Sequence, residues 1–378
     1  MTASVTRRLL GGVLAVLLLT AAGCSSPSKT ATPASASANA TTAKTGTIVI
    51  NPQFDGTGDF SDGLAAVRIG DYKTGKWGFI DKTGHYVINP QFDSADFFSD
   101  GLAAVRIGDF KTGKSGFIDK TGHYVINPQF AGALPFRDGL ALVRIGDDKT
   151  GKWGFIDKTG HYVINPQFDE AESFSEGLAV VLIGGKWGFI DKTGHYVINP
   201  QFDEAESFSE GLARVRIGDD TTGKWGFIDK TGHNVINPQF DSAEFFSDGL
   251  AAVRIGDDET GQWGFIDKTG HIVINPQFDL AGFFSEGLAA VRIGDDYTGK
   301  SGFIDKTGHY VINSQFDSAD SFSDGLALVR IGDFTTGKSG FIDKTGRIVI
   351  NPQFDLPAFF SEGLAAVFIG GKWGFIAR

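Results

Sequence analysis

The residues best suited to metal or acid–base chemistry are seven histidines, each of which follows a Thr-Gly pair. They recur at steps of 34 or 38 residues and are His85, His123, His161, His195, His233, His271 and His309. A zinc ion needs its donors at about 2 Å, and equivalent residues of neighbouring repeats lie too far apart for that unless they meet at an axis. We therefore interpret these histidines as turn residues that face solvent, and we predict no metal site.

Acidic residues cluster in the segments that join successive repeats. Two such clusters are Asp93, Asp96 and Asp100, and Asp169, Glu170, Glu172 and Glu176. Calcium needs six to eight oxygens around one point, whereas these clusters lack the spacing of a calcium loop. The equivalent segment "AGALPFRDG" (131–139) has lost most of its acids. We therefore predict solvated acidic links without a bound ion.

Six tryptophans share one position in the repeat, and serine occupies three of its equivalents. The tryptophans are Trp77, Trp153, Trp187, Trp225, Trp263 and Trp373, and the serines are Ser115, Ser301 and Ser339. Replacing a fully buried indole with serine would cost about 3–5 kcal/mol, so the pattern predicts an indole that is only partly buried. It can cap a sheet edge, or it can be a repeated platform for sugar rings or for the apolar groups of a partner.

Catalysis finds little support in this pattern, because every Asp, His and Ser candidate occupies a repeated position. Active sites hold unlike groups in one asymmetric pocket. The chain also contains no G-x-S-x-G elbow and no His-Glu-x-x-His motif. We predict no enzymatic activity, no catalytic residue and no cofactor.

These residues are positioned by a repeat that extends from residue 47 to the end of the chain. The tripeptide Gly-Phe-Ile begins at Gly78, Gly116, Gly154, Gly188, Gly226, Gly264, Gly302, Gly340 and Gly374. A period of 38 residues, twice shortened to 34, indicates an array of supersecondary units. The two short units lack four residues between the same two apolar runs, which places that variable segment at a solvent-exposed hairpin tip.

Each unit contains three runs with the alternation and β-branched content of strands. In the first full unit they are "LAAVRI" (64–69), "KWGFID" (76–81) and "HYVINPQF" (85–92). We predict an all-β array of about nine three-stranded antiparallel units. A variable link such as 93–101 joins each unit to the next, and its Phe98 plugs the junction between them.

The two ends of the array are complementary. It begins with a lone third strand (47–54) and stops after a second strand (372–378). In a propeller such an offset lets the first strand complete the last unit and close the ring, which also hides two sheet edges. The alternatives are therefore a propeller-like closed ring and an open β-solenoid.

The phrase "KWGFIDKTG", followed by "VINPQFD" and "FS(D/E)GLA", resembles the bacterial WG-repeat family, also called KWG repeats. The resemblance covers residues 47–378. It implies a β-rich repeat domain, usually secreted or appended to other domains, and it carries no general catalytic activity. Ser115, Ser301 and Ser339 depart from the motif after which the family is named.

The first residues have the pattern of an export signal. Arg7 and Arg8 precede the apolar run 9–19, and Ala21, Ala22 and Gly23 then lead into Cys24, the only cysteine. The pattern resembles a bacterial lipoprotein signal, with an ordinary secretory signal as the alternative. We predict a signal peptide over 1–23, lipidation of Cys24, and a disordered Ser/Ala/Thr tether over 24–46, which is followed by the repeat domain 47–378.

The charge and cysteine content narrow the function further. A net charge of −11 with scattered basic residues argues against nucleic acid as a partner. One cysteine excludes a disulfide framework within the chain. We predict an exported, lipid-anchored, non-enzymatic binding or scaffold protein of the cell envelope.

Its expected partners are the membrane, through the lipid anchor only, and an unidentified envelope protein or polysaccharide. The alternative is a glycan-binding module that uses the six tryptophans. A protein partner would instead contact the hairpin tips at Tyr72, Phe110 and Tyr297.

Overall fold

The computed structural model describes residues 46–147, 149–257, 260–295, 298–333 and 335–378. Cys24, the predicted signal peptide and the tether up to residue 45 lie outside these ranges. Gly46, the last residue of the predicted tether, already belongs to the fold, because its N–H donates to the carbonyl oxygen of Ala377 at 2.7 Å. Within the described ranges no helix has the length and apolar character needed to cross a bilayer.

The described chain forms nine four-stranded antiparallel sheets, or blades. It begins with β1 (Ile48–Phe54). Blade 1 follows, with β2 (Gly56–Ser61), β3 (Leu64–Ile69), β4 (Lys76–Asp81) and β5 (Tyr86–Phe92). Blade 2 contains β6 (Ser94–Ser99), β7 (Leu102–Ile107), β8 (Lys114–Ile118) and β9 (Tyr124–Phe130). Blade 3 contains β10 (Gly132–Ala133), β11 (Ala141–Ile145), β12 (Lys152–Ile156) and β13 (Tyr162–Phe168).

The next three blades repeat this order. Blade 4 contains β14 (Glu170–Ala171), β15 (Leu178–Ile183), β16 (Lys186–Asp191) and β17 (Tyr196–Phe202). Blade 5 contains β18 (Glu204–Ala205), β19 (Leu212–Ile217), β20 (Lys224–Asp229) and β21 (Asn234–Phe240). Blade 6 contains β22 (Ser242–Ala243), β23 (Leu250–Ile255), β24 (Gln262–Asp267) and β25 (Ile272–Phe278).

The last three blades bring the chain back to its start. Blade 7 contains β26 (Leu280–Ser285), β27 (Leu288–Ile293), β28 (Lys300–Asp305) and β29 (Tyr310–Phe316). Blade 8 contains β30 (Ser318–Ala319), β31 (Leu326–Ile331), β32 (Lys338–Asp343) and β33 (Ile348–Phe354). Blade 9 contains β34 (Leu356–Pro357), β35 (Leu364–Ile369) and β36 (Lys372–Ala377), and β1 completes it.

The prediction of three-stranded units was wrong, because the link forms a fourth strand. In blade 1 this strand is β2, which pairs with β3 through Gly56–Arg68 and Thr57–Val67. In six blades it is only two residues long, as in β14. The first strands of neighbouring blades contact each other, as β2 and β6 do. The link is therefore the innermost strand of each blade, and the "YVINPQF" strand is the outermost.

The ring is closed by its first strand. β1 pairs with β36 in the ninth sheet, in the order β1-β36-β35-β34. Side chains from both ends of the chain, including Ile50, Phe60 and Phe375, pack into one buried cluster. The structure is thus a closed nine-bladed propeller, and the open-solenoid alternative was wrong.

Pairs of phenylalanines form the core between blades. Phe79 of blade 1 and Phe98 of blade 2 are both fully buried, and their ring centroids lie 4.8 Å apart. The same edge-on or tilted contact recurs between the following blades. At the ring closure the pair is Phe60 and Phe375, at 4.9 Å. The predicted role of the link phenylalanine as an inter-blade plug is confirmed.

Carboxylates join the blades at both ends of the sheets. The carboxylate of Asp93 accepts from Lys76 Nζ at 2.6 Å and, across the blade boundary, from the N–H of Gly108 at 2.8 Å. Near the opposite ends, the carboxylate of Glu362 accepts from Lys82 Nζ at 3.0 Å and from the N–H of Gly63 at 3.1 Å. Most link acids therefore belong to the frame that holds the ring together.

Candidate functional site

The innermost strands converge on the axis of the ring, where propellers have a channel. We use the term channel wall for two rows of residues on these strands, each row with one residue per blade. The first row is Gly58, Asp96, Leu134, Glu172, Glu206, Glu244, Gly282, Asp320 and Ala358. The second row is Asp59, Phe97, Pro135, Ser173, Ser207, Phe245, Phe283, Ser321 and Phe359. The residue that follows the second row is a buried phenylalanine in every blade.

The channel wall is where the chain departs furthest from its own repeat. The buried plug is always Phe, whereas the first row contains Gly, Ala, Leu, Asp and Glu, and the second row contains Asp, Ser, Pro and Phe. Because the flanks of each blade are packed against its neighbours, exposed side chains on the innermost strand face the channel. The ring thus surrounds its axis with an asymmetric set of side chains.

One part of the wall is aromatic. Phe245 and Phe283 of neighbouring blades are each 37% exposed, and their ring centroids lie 5.1 Å apart with the rings tilted by 38°. Phe359 of blade 9 is exposed to a similar extent. These rings contrast with the plug phenylalanines next to them in sequence, such as Phe246 and Phe284, which are fully buried.

Another part of the wall, on blades 4 to 6, is acidic. Glu172 Oε2 accepts from the hydroxyl of Ser207 in the next blade at 2.8 Å. Burial raises the pKa of Glu172, and the charge of Glu206 adds to this effect. Burial likewise raises the pKa of Glu244. In both cases the surrounding protein makes the charged form costly.

A single arginine partly compensates this charge. Arg214 replaces the small or aliphatic residue of other blades, and its Nη2 lies 2.6 Å from Glu206 Oε1. Its Nη1 lies 3.7 Å from Glu244 Oε2 and donates to the carbonyl oxygen of Ala243. Glu172 accepts hydrogen bonds from the hydroxyl and the backbone of Ser207. The three carboxylates of Glu172, Glu206 and Glu244 therefore outnumber the one guanidinium that faces them.

Three further wall acids are spread around the ring. Burial also raises the pKa values of Asp59, Asp96 and Asp320. Nevertheless, Asp59 and Asp320 are exposed and Asp96 is half-buried. These side chains thus reach solvent although the surrounding protein partly desolvates them, as expected for residues that line a channel.

One mouth of the channel widens beside blades 2 to 4. A depression of about 350 Å³ is lined there by Phe97, Asp100, Arg137 and Glu176, among others. In most blades a serine precedes the acidic turn residue, as Ser99 does. Its hydroxyl donates to the backbone carbonyl oxygen of the buried phenylalanine in the next blade, which for Ser99 is Phe136 at 2.7 Å. Arg137 replaces that serine in blade 3 and is exposed, so this mouth is also asymmetric.

The histidines lie at the turns between the third and fourth strands. Thr121 Oγ1 donates to Asp119 Oδ1 at 2.6 Å and lies 2.7 Å from His123 Nδ1. Since the hydroxyl proton is used on the carboxylate, His123 Nδ1 is the donor to Thr121 Oγ1. The same arrangement recurs in the other six histidine turns. Within the described ranges no three His, Cys, Asp or Glu side chains are grouped as metal ligands.

The tryptophans lie on the blade flanks, and four of them pack against arginine, namely Trp77, Trp153, Trp225 and Trp263. The guanidinium carbon of Arg144 lies 5.6 Å from the ring centroid of Trp153, and Arg68 lies 5.7 Å from Trp77. Partial burial is confirmed for Trp77, Trp153, Trp225 and Trp373. The prediction of partial burial was wrong for Trp187 and Trp263, which are only 4% and 8% exposed. This placement favours the structural role that the sequence left open.

Serine at the tryptophan position is tolerated for a reason that the sequence did not show. Ser115, Ser301 and Ser339 are themselves buried, at 4–6% exposure. In blade 2, Arg106 turns towards the position of the missing indole, and its Nη1 donates to Ser115 Oγ at 3.3 Å. Arg330 makes the same bond to Ser339 at 3.3 Å. The guanidinium therefore takes over part of the volume of the indole.

The acids named in the predicted solvated links make more contacts than the sequence indicated, although none of the seven is buried. Asp93 and Asp169 are paired with Lys76 and Lys152. Asp100 and Glu176 accept from glycine N–H groups of the next blade. Asp96 and Glu172 belong to the channel wall. The sequence did contain a signal for the wall, since its two rows vary among nine otherwise similar repeats, but only the ring geometry shows that they face one another.

The hairpin tips, which the sequence proposed as partner contacts, lie away from the axis between the second and third strands. Tyr72 and Phe110 are strongly exposed there. Arg68 and Arg106 lie 5.5 and 5.7 Å from the respective ring centroids. Tyr297 lies outside the described residues.

The repeats match the family model of the WG containing repeat. Nine segments match, namely residues 44–72, 77–109, 116–149, 153–187, 187–219, 225–257, 263–297, 302–333 and 340–373. The chain belongs to the WG-repeat family. A comparison with curated protein sequences found no significant match.

Solved structures with a similar course of the chain are distant from this WG-repeat protein. The tricorn protease matches with a TM-score of 0.30 and 12% identity, over 82% of this chain and 37% of that chain. The acylaminoacyl peptidase of Pyrococcus horikoshii matches with a TM-score of 0.40 and 10% identity, over 85% and 57%. Prolyl oligopeptidase B of Galerina marginata matches with a TM-score of 0.39 and 11% identity, over 76% and 54%. The chain spans less than two thirds of each, and similarity at this level carries no argument about function.

Proposed function

We propose that this WG-repeat propeller is a non-enzymatic binding protein, exported and held at the cell envelope by a lipid on Cys24, whose ligand binds at the channel wall. The observation that carries the proposal is the contrast between a repeated frame and an unrepeated wall. Residues that hold the blades together recur in nearly every blade. The positions of Glu172, Arg214, Phe245 and Phe283 hold other residue types in other blades, so the fold does not require these side chains.

The chemistry of the wall supports binding rather than turnover. Sites for ligands combine apolar surface with a few polar groups that fix orientation, and the wall offers exposed phenylalanines beside carboxylates. The repeated Asp, Thr and His side chains are engaged with one another in structural turns. The carboxylates of Glu206 and Glu244 face Arg214, which is not a general base.

The anchoring part of the proposal rests on the sequence around Cys24. The test is fractionation of cells that express the full chain or its Cys24→Ala variant, with metabolic labelling by a fatty acid. The proposal predicts that the parent chain carries the label and sediments with membranes, and that the variant loses both properties. A parent chain that is unlabelled and remains in the cytoplasm would refute the anchoring.

The binding part is tested by crosslinking in intact cells, followed by isolation of the full chain. We expect crosslinked partners or polymer to be lost in a Glu172→Ala, Phe283→Ser double variant. Alanine stands at the first position in blade 9, as Ala358, and serine at the second in blade 8, as Ser321. Both changes therefore use residues that the frame accepts. Unchanged crosslinking would contradict a ligand site in the channel.

A matched variant distinguishes the glycan-binding alternative from a ligand site at the channel wall. Trp77→Ser and Trp153→Ser together remove two of the partly buried indoles without touching the wall. If those indoles were sugar platforms, this variant would lose retention on cell-wall polysaccharide. Our proposal predicts that its crosslinking stays at the parental level.

A further inference from the structure

We propose that the channel binds an organic cation with an apolar body, such as a protonated arylalkyl amine, the apolar part on the exposed phenylalanines and the ammonium group among the wall carboxylates. This inference rests on the proposed function and deepens it, because it assigns the chemical class of the ligand. The occupant is identified by the combination of exposed aromatic rings with complementary charge in one channel.

The aromatic rings are the apolar part of this site. Phe245 and Phe283 form a tilted pair at 5.1 Å, and each keeps 37% of its surface exposed. Folding has left these rings exposed although fully buried plug positions lie next to them in sequence. Phenylalanine faces attract cations within about 6 Å of the ring centroid, so the pair suits an apolar body that carries positive charge.

The polar part of the site selects the sign of the ligand charge. Six carboxylates belong to the two rows of the wall, namely Asp59, Asp96, Glu172, Glu206, Glu244 and Asp320. The cation shown to face them is Arg214, which contacts Glu206 and Glu244. A concave surface lined by charges of one sign concentrates ligands of the opposite sign.

The position of Glu172 and Glu244 makes a cation favourable there. Both side chains are half-buried, and burial raises their pKa values. A carboxylate in such surroundings gains stabilisation when a positive charge comes close. Glu244 precedes Phe245 in the chain, so blade 6 supplies neighbouring residues of both rows of the site.

The test uses three small probes and the full-length mature protein in lipid nanodiscs. The probes are 2-phenylethylamine, which is cationic and aromatic, 2-phenylethanol, its neutral analogue, and putrescine, a cation without a ring. Saturation-transfer NMR against empty nanodiscs measures their binding. We expect 2-phenylethylamine to bind about tenfold or more tightly than either of the other two.

Wall variants locate the binding. We expect Glu172→Ala with Glu244→Ala, and separately Phe245→Ser with Phe283→Ser, to weaken binding of 2-phenylethylamine about tenfold or more. The control is Asp109→Asn at a hairpin tip, which removes one carboxylate far from the axis and should leave binding unchanged. Thermal unfolding of each variant shows that the frame is intact.

Three outcomes would overturn the inference: no binding of the amine, equal binding of the alcohol, or binding that both wall variants leave unchanged. The crosslinking experiment is independent of these probes. If wall variants abolish crosslinking while the amine does not bind, the ligand class is wrong and the proposed site stands. If the amine binds at the wall but the wall variants leave crosslinking unchanged, the proposed function is wrong. The assignment of the wall as a site for organic cations is then retained.

Discussion

Two phenylalanines three blades apart show how differently the frame and the channel wall of this molecule are constrained. Phe189 is fully buried and packs on Phe208 at 5.0 Å, and its equivalents in the other blades are also phenylalanine. Phe283 is partly exposed at the axis, and its equivalents include Asp59, Pro135 and Ser321. Stability therefore requires the repeat at the blade interfaces and leaves the wall free to vary.

Removing β1 is expected to produce the largest effect on the frame. A chain that lacks residues 46–54 loses the buried Ile50 and Phe54, each worth about 1.5–3 kcal/mol, and exposes the edge of β36. We expect loss of cooperative unfolding or self-association through the open edge, measured by thermal unfolding and size-exclusion chromatography. The control begins at residue 46. A monomeric shortened chain with an unchanged unfolding temperature would contradict closure by β1.

Truncating the two phenylalanines tests the comparison directly. Phe189→Ala leaves a cavity between blades and should lower the free energy of unfolding by about 3–5 kcal/mol. Phe283→Ser uses the residue found at Ser321 and should change it by no more than about 0.5 kcal/mol. Denaturant unfolding measures both values, and similar losses in the two variants would remove the distinction between frame and wall.

Two tryptophans of the frame differ in the residue that pairs with them on the neighbouring strand. In blade 3, Arg144 lies beside Trp153 and can turn towards a new serine, as Arg106 does in blade 2. In blade 4 the residue paired with Trp187 is Leu182, which has no such group.

We expect Trp153→Ser to cost about 1 kcal/mol, because an arginine–serine hydrogen bond forms. We expect Trp187→Ser to cost about 3 kcal/mol or more. Denaturant unfolding decides between this explanation and one in which the two positions are equivalent. Equal costs would show that arginine does not compensate for the missing indole.

The smallest expected effect concerns a single turn. The hydroxyl of Thr121 is the largest cause that holds the pKa of Asp119 below its usual 3.8. A lowered carboxyl pKa stabilises the fold above the unfolded-state value, and this stabilisation is lost as the pH falls through the folded-state pKa. Thr121→Val should therefore raise the pKa of Asp119 towards 3.8, as followed by NMR titration. Asp157 in the next blade serves as the internal reference and should not shift.

The sequence predicted the frame well because the frame is local and repeated. Period, three of the four strands, the hairpin tips and the offset of the ends all follow from patterns within about 38 residues. The fourth strand was missed because in most blades its ladder is two residues long, as at Glu170 and Ala171. A ladder this short leaves no alternation in the sequence.

The wall was not predicted, because its residues meet across blade boundaries. Glu172 meets Ser207, and Phe245 meets Phe283, one repeat further along the chain, and the variation in the two rows does not show by itself that they face one axis. The exchange of tryptophan for serine was misjudged for a related reason. The compensating arginine is identical in sequence in both kinds of blade, as Arg106 and Arg144 show, and only its direction differs.

The central claim is that the wall carries binding and that the frame does not depend on the wall. The most direct measurement is crosslinking in intact cells with a chain whose wall is made uniform, with Asp96, Glu172 and Glu244 changed to Ala and Phe245 and Phe283 changed to Ser. We predict an unfolding temperature close to that of the parent together with loss of crosslinked ligand. Parental crosslinking by a folded variant would contradict the claim.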